Sequence, residues 1–195
     1  MGKIFYIMGK SASGKDSIYR KMLEREELHL QKMVLYTTRP IRKGEVEGNE
    51  YFFVDDEVLK RLESAGKVIE SRSYDTVRGV WTYFTADDGN IDLDNDNYIS
   101  IGTLESYQKL ADYYGKDSIC PIYIEVEDGE RLKRAIKRES KQENPVYEEV
   151  CRRFLADSKD FSEDKIAVAT NVKRFLNHDK ETCRGEVGKY IESMI

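Results

Sequence analysis

Gly9-Lys10-Ser11-Ala12-Ser13-Gly14-Lys15 has the residue types and the spacing to hold a polyphosphate. Small residues between the two glycines let the backbone curl until its N–H groups point at phosphate oxygens, and a helix opening at Gly14 adds partial positive charge there. Lys15 is then the mobile cation for the β- and γ-phosphates of a nucleoside triphosphate. Directly after it, where such loops carry a magnesium-side hydroxyl, stands Asp16; the hydroxyl comes one residue later, at Ser17. A second cluster follows in Thr37–Val54. Arg39 and Arg42, three apart around Pro40, can turn both guanidinium forks to one anion, and Tyr51 offers a third donor. The third cluster lies between Arg131 and Arg153, where eight basic residues against four acids leave +4. Arg134 and Arg138, at i and i+4, share a helix face. Arginines that swing over a transferring phosphate are what phosphoryl transfer needs. Solvated Glu pairing accounts for Arg131, Lys133 and Lys141.

The elements that must position these groups follow from period. Lys3–Met8 reads as a buried strand, followed by the loop and a helix from about Gly14 to Glu27. Lys32–Tyr36 and Glu50–Val54 read as strands, and Asp55 as the N-cap of a helix that Gly66 stops. Lys67–Ser71 and Gly79–Thr85 are strands with a bend near Val77-Arg78, and Asn97–Ile101 is a core strand. Thr103 caps a helix ending at Gly115; Ser118–Glu125 is a strand, and Gly129–Arg138 and Tyr147–Phe161 are helices. Ile166–Thr170 is expected to close the sheet before a last helix, Glu181–Ser193. Strand–helix–strand units at both ends imply an α/β fold, a parallel sheet flanked by helices. The short strands of the middle imply an inserted lobe.

The run from Thr37 to Tyr51 contains every fixed element of Thr-Thr-Arg-Pro-x-Arg-x-Gly-Glu-x-x-Gly-x-x-Tyr. At its distance from the phosphate loop it resembles the guanylate kinase family, with decreasing sharpness to about Asn171. The resemblance implies a P-loop kinase fold: a core (about 1–36, 96–130 and 162–195), a mixed β acceptor-binding lobe (about 37–95) and a helical lid (about 131–161). It implies ATP-dependent transfer to a nucleoside monophosphate, GMP foremost, with Mg²⁺. Gly9, Ser11, Ala12, Ser13, Gly14, Lys15, Asp16 and Ser17 would hold ATP, with Ser17 at the metal and Asn171 at the adenine. Arg39, Arg42, Tyr51 and Tyr83 would hold the acceptor phosphate, and Glu70 and Thr85 its base. Lys15, Arg134, Arg138 and Arg153 would be catalytic, with 139–147 the moving segment. Leu35, Ser100 and Gly102 depart from the family pattern near the base. Two other readings fit the same residues: a kinase of another phosphorylated small molecule, and a guanylate-kinase-like interaction module without activity.

At 195 residues the chain is long enough to bury about 70% of its unfolded surface as one domain. A net charge of −5 argues against a protein that coats nucleic acid or anionic membrane. The apolar run Ile4–Met8 is too short for a membrane span or a signal-peptide core, and Cys120, Cys151 and Cys183 form no CxxC pair. The expectation is cytoplasmic. The acidic run Asp87–Asp96 is no calcium loop, since positions six and twelve would be Asn97 and Thr103 rather than glycine and glutamate, and it reads as a solvated hairpin or loop.

Overall fold

β1 (Ile4–Met8) is buried at all five positions, as a strand covered on both faces must be. In the computed structural model, which describes residues 1–76 and 79–195, it pairs in parallel with β7 (Asn97–Gly102) and β8 (Ile119–Glu125). With β2 (Leu30–Lys32) and β9 (Lys173–Leu176) these form a parallel sheet in the order β2-β7-β1-β8-β9. Alternation along β1 divides the core. Ile4, Tyr6 and Met8 pack with α3 (Leu104–Tyr114) and α6 (Glu163–Val168), whereas Phe5 and Ile7 pack with α1 (Lys15–Leu23) and α7 (Lys180–Glu192). Thr103 caps α3 by accepting from the Ser106 N–H. Among the described residues no helix is long and apolar enough to cross a membrane.

A second, mixed sheet has the order β4-β3-β6-β5, built from β3 (Tyr36–Thr37), β4 (Phe52–Phe53), β5 (Val68–Thr76) and β6 (Gly79–Ala86). Its outer face buries Phe84 and Ala86 against Leu59 of α2 (Asp56–Ser64), which Asp55 caps through the Val58 N–H. A β-bulge between Val68 and Glu70 sets what the other face presents. Val68 opposes Ala86 and packs toward α2; unbroken register would carry Glu70 to the same side, opposite Phe84. The extra residue puts Glu70 opposite Thr85 instead, and Arg72/Tyr83 and Tyr74/Trp81 follow on that face.

Two expected strands are corrected. Lys32–Tyr36 is not one strand: Leu30–Lys32 joins the parallel sheet and Tyr36–Thr37 the mixed one, with the chain crossing between them at buried Met33. Ile166–Thr170 is not a strand either. Glu163 and Asp164 stand in the first turn of α6, where acids favour a helix, and β9 closes the sheet six residues later than expected. The first helix also stops early, at Leu23, before a 3-10 turn over Glu26–Leu28. The bend expected near Val77-Arg78 lies outside the described residues. α4 (Asp128–Glu139) and α5 (Tyr147–Asp160) stand beside the core.

Phe84 is fully buried and its ring stacks on Tyr36 at 5.0 Å. Phe84→Ala is expected to cost about 3–5 kcal/mol in chemical denaturation; a loss under about 1 kcal/mol would show that this small core contributes little.

Candidate active site

Lys15 and Asp16 open α1 directly after Gly14, whose φ of 89° is left-handed and suits glycine. A Cβ on Gly14 would also lie 2.5 Å from the Asn177 side-chain nitrogen. That amide donates to the Ser13 carbonyl at 2.7 Å and ties the loop to the end of β9. Asn177 is buried, and its Oδ1 and the buried Ser13 Oγ have no hydrogen-bond partner. Asn171, expected at the adenine, is exposed and precedes β9, so it stands at the end of the sheet opposite the loop. Asn177, just past the true last strand, has the position expected of it.

The hydroxyl expected at the metal is also differently engaged. Ser17 Oγ accepts from an Nη of Arg184 on α7 at 2.7 Å, and a cation in that place disfavours a second one. Asp16, 71% exposed and 3.7 Å from Lys15 Nζ, lines a cavity of about 390 Å³ with Leu35, Tyr51 and Ile101. The same three residues border an adjoining cavity of about 410 Å³, walled by Arg72, Tyr74, Trp81 and Tyr83. One groove thus runs from the start of α1 to the inner face of the mixed sheet.

The expected anion site is assembled by its own threonines. Thr37 Oγ1 donates to the Thr82 carbonyl and accepts from the Arg39 N–H, while Thr38 Oγ1 accepts from the Thr82 N–H. Arg39 is therefore held at β6 and is 3% exposed. Its fork is taken by Glu45 at 2.8 and 2.9 Å, and its guanidinium lies over the rings of Tyr51 and Phe53. The Tyr83 hydroxyl is beside it, and the Tyr51 and Tyr83 rings are 5.5 Å apart. Burial raises the pKa of Tyr51, so its hydroxyl keeps its proton. Arg42 is exposed, with its backbone N–H on Glu45 at 2.7 Å. Arg39, Tyr51 and Tyr83 thus converge, and Arg42 stands at their rim.

At the base end, Glu70 is 3% exposed and its Oε1 accepts from Thr85 Oγ1 at 2.9 Å. Gly102 has a packing reason: a Cβ there would lie 2.0 Å from the Tyr6 hydroxyl, whose buried ring fills the space. Of the lid arginines, Arg134 donates to the Asn177 carbonyl at 3.2 Å and pairs with Glu130, next to the loop. Arg138 is exposed, and Arg153 pairs with Glu149 in solvent; neither reaches the loop. Arg131, expected to be solvated, is instead 1% exposed. It bonds Asp157 at 2.9 Å and Asp128 at 3.0 Å and lies 4.2 Å over the Phe154 ring. Asp157 in turn accepts from the Ser11 N–H at 2.8 Å, fastening α5 to the phosphate loop.

Glu45 reports on the anion site. The Arg39 guanidinium holds its carboxyl below the usual carboxylate pKa. The stability this contributes is present above the unfolded pKa and lost as pH falls through the lowered folded one. A carboxyl-carbon NMR titration is expected to give a midpoint below about 4.3 that rises when Arg39→Lys breaks the fork. An unchanged midpoint would mean the pair does not persist in solution.

A family model described as guanylate kinase matches residues 1–84, the stretch holding the Gly9–Lys15 loop, Arg39, Arg42, all of β5 and most of β6. The guanylate kinase of Nitrosomonas europaea is 28% identical over 202 residues, spanning 99% of this chain and 90% of that protein. That of Anaplasma phagocytophilum is 43% identical over 70 residues, 36% of this chain and 33% of the relative. The crystal structure of guanylate kinase from Anaplasma phagocytophilum superposes with a TM-score of 0.64 at 22% identity, over 98% of this chain and 85% of that one, so the fold is shared. Both arginine- and glycine-bearing clusters of the N-terminal half lie inside the matched segment, and one relative aligns along nearly the whole chain, so the chain is similar to guanylate kinases in sequence and shares their fold.

Proposed function

We propose that the chain transfers the γ-phosphoryl group of ATP to GMP, releasing ADP and GDP, in the cytoplasm. The observation that carries this reading is the continuous groove. Asp16, the residue after the loop lysine, lines one end, and Tyr51, Arg72 and Tyr83 line the other, with Arg39 against the Tyr51 ring and buried Glu70 paired with Arg72 behind them. A carboxylate suits guanine because it can accept from N1–H and the 2-amino group together. The likeness to proteins named guanylate kinase supports the same chemistry.

In this reading an oxygen of the acceptor phosphate attacks the γ-phosphorus in line. The bond to the β,γ-bridging oxygen breaks, and its electrons leave with ADP. The attacking group is already an anion, so no covalent nucleophile or dedicated base is required. Loop amides and Lys15 hold the donor phosphates, and Arg39, Arg42, Tyr51 and Tyr83 hold the acceptor phosphate. Arg134 stands at the loop, while Arg138 and Arg153 come over the transferring group when the lid and the acceptor lobe close. Asn177, with its free Oδ1, takes the adenine side in place of Asn171.

Mg²⁺ is part of the proposal, and the residues fit it. Asp16 offers an exposed, hard carboxylate oxygen at the start of α1, and Mg²⁺ uses one or two carboxylates with substrate phosphates. Among the described residues no group of three or more His, Cys, Asp or Glu side chains could hold the ion alone, which suits a metal that arrives with the nucleotide. When bound, it would neutralise charge on the β- and γ-phosphates.

ADP release with saturating ATP, Mg²⁺ and GMP is expected to fall about 100-fold or more in Lys15→Met. Equal rates for the two proteins would remove the enzymatic reading.

A further inference from the structure

We propose that Arg72 reads the O6/N7 edge of the acceptor base, so that a guanidinium–carboxylate pair, rather than Glu70 alone, selects guanine. The inference rests on the reading of the groove as a nucleoside monophosphate site and extends it to a residue that none of the expected site residues includes.

The bulge that turns Glu70 inward also places Arg72 on the same face, opposite Tyr83. Arg72 Nε lies 3.2 Å from Glu70 Oε2. Both atoms are buried and neither has a hydrogen-bond partner. Glu70 is therefore hydrogen-bonded on one oxygen only, by Thr85, and its other oxygen has the Arg72 ion pair without a hydrogen bond. Buried polar atoms left this way need a reason, and a ligand that completes them is one. Arg72, with an 18% exposed side chain, lines the 410 Å³ cavity between Tyr51 and Trp81. Among the described residues no hydrogen bond holds its Nη groups.

Guanine presents two donors, N1–H and the 2-amino group, next to two acceptors, O6 and N7. A carboxylate complements the first pair and a guanidinium fork the second, and because the edges adjoin, the two heads must lie side by side. Glu70 and Arg72 do. Adenine would set its 6-amino donor against the guanidinium, and xanthine its 2-oxo group against the carboxylate. The pair complements guanine and opposes both.

A purely structural role, with Arg72 as the counter-ion of Glu70, makes different demands: any cation there would serve. The test measures kcat/KM for GMP, AMP and 7-deaza-GMP, which lacks the N7 acceptor, in the wild-type protein and in Arg72→Lys. On the wild type, 7-deaza-GMP is expected to lose about 5- to 10-fold against GMP, the worth of one hydrogen bond. In Arg72→Lys, which keeps the charge and loses the fork, the GMP-over-AMP ratio is expected to fall about 10- to 100-fold, and the 7-deaza penalty to vanish. Wild-type indifference to the missing N7, or an unchanged GMP-over-AMP ratio in Arg72→Lys, would overturn the proposal while leaving GMP kinase activity in place. A wild-type protein that does not phosphorylate GMP would overturn the functional reading and this inference with it. Should Arg72→Lys fail to fold, the wild-type comparison of GMP with 7-deaza-GMP decides alone.

Discussion

The inner face of the mixed sheet is organised around a buried carboxylate, Glu70, that its fold hydrogen-bonds on one oxygen and ion-pairs on the other. Burying Glu70 against Arg72, with one carboxylate oxygen ion-paired but not hydrogen-bonded, is costly for the free protein, and a sheet selected for stability alone would place apolar side chains there. The single extra residue near Ile69 makes the difference, because it reverses which face the rest of β5 presents. Val68 can then cover α2 while Glu70 turns to the opposite face and Arg72 and Tyr74 line the groove. Phe84 and Ala86, on the opposite face of β6, supply the apolar contacts that hold the hairpin in place. Stability and recognition are thus divided between the two faces of one small sheet.

The phosphate end depends on tethers of a different kind. The loop is held from the end of β9 by Asn177 and from the side by Asp157, which is itself fixed by Arg131. A loop that must present its amides to a polyanion gains from having the rest of its backbone fixed beforehand, since less ordering is left for binding. Arg134 meets the same Asn177 carbonyl region, whereas Arg138 and Arg153 are free of the loop. Buried and solvent-exposed arginines therefore lie along the same pair of helices.

What the sequence made legible was local. The strand, loop and helix around Gly9–Lys15 follow from apolar run, glycine spacing and helix period, and the caps at Asp55 and Thr103 were readable because capping uses neighbours three residues on. What it hid was long-range. Arg131 is buried through Asp157, 26 residues away, so its helix looked solvated. β9 is an edge strand that buries only Phe175 among charged residues, and the more apolar Ile166–Ala169 drew the strand assignment and carried Asn171 with it. Gly102 looked like a lost acid until the Tyr6 hydroxyl was seen in its space. The bulge has no signature in residue type, so Arg72 gave no sign of facing Glu70.

The chain has a single tryptophan, Trp81, and it stands in the wall of the 410 Å³ cavity proposed to take the acceptor. Its emission therefore reports directly on whether a guanine nucleotide enters between the mixed sheet and the core. Titration of the protein with GMP is expected to change Trp81 fluorescence saturably, while AMP at the same concentrations leaves it unchanged. No response to GMP up to millimolar concentration, or an equal response to AMP, would contradict the account.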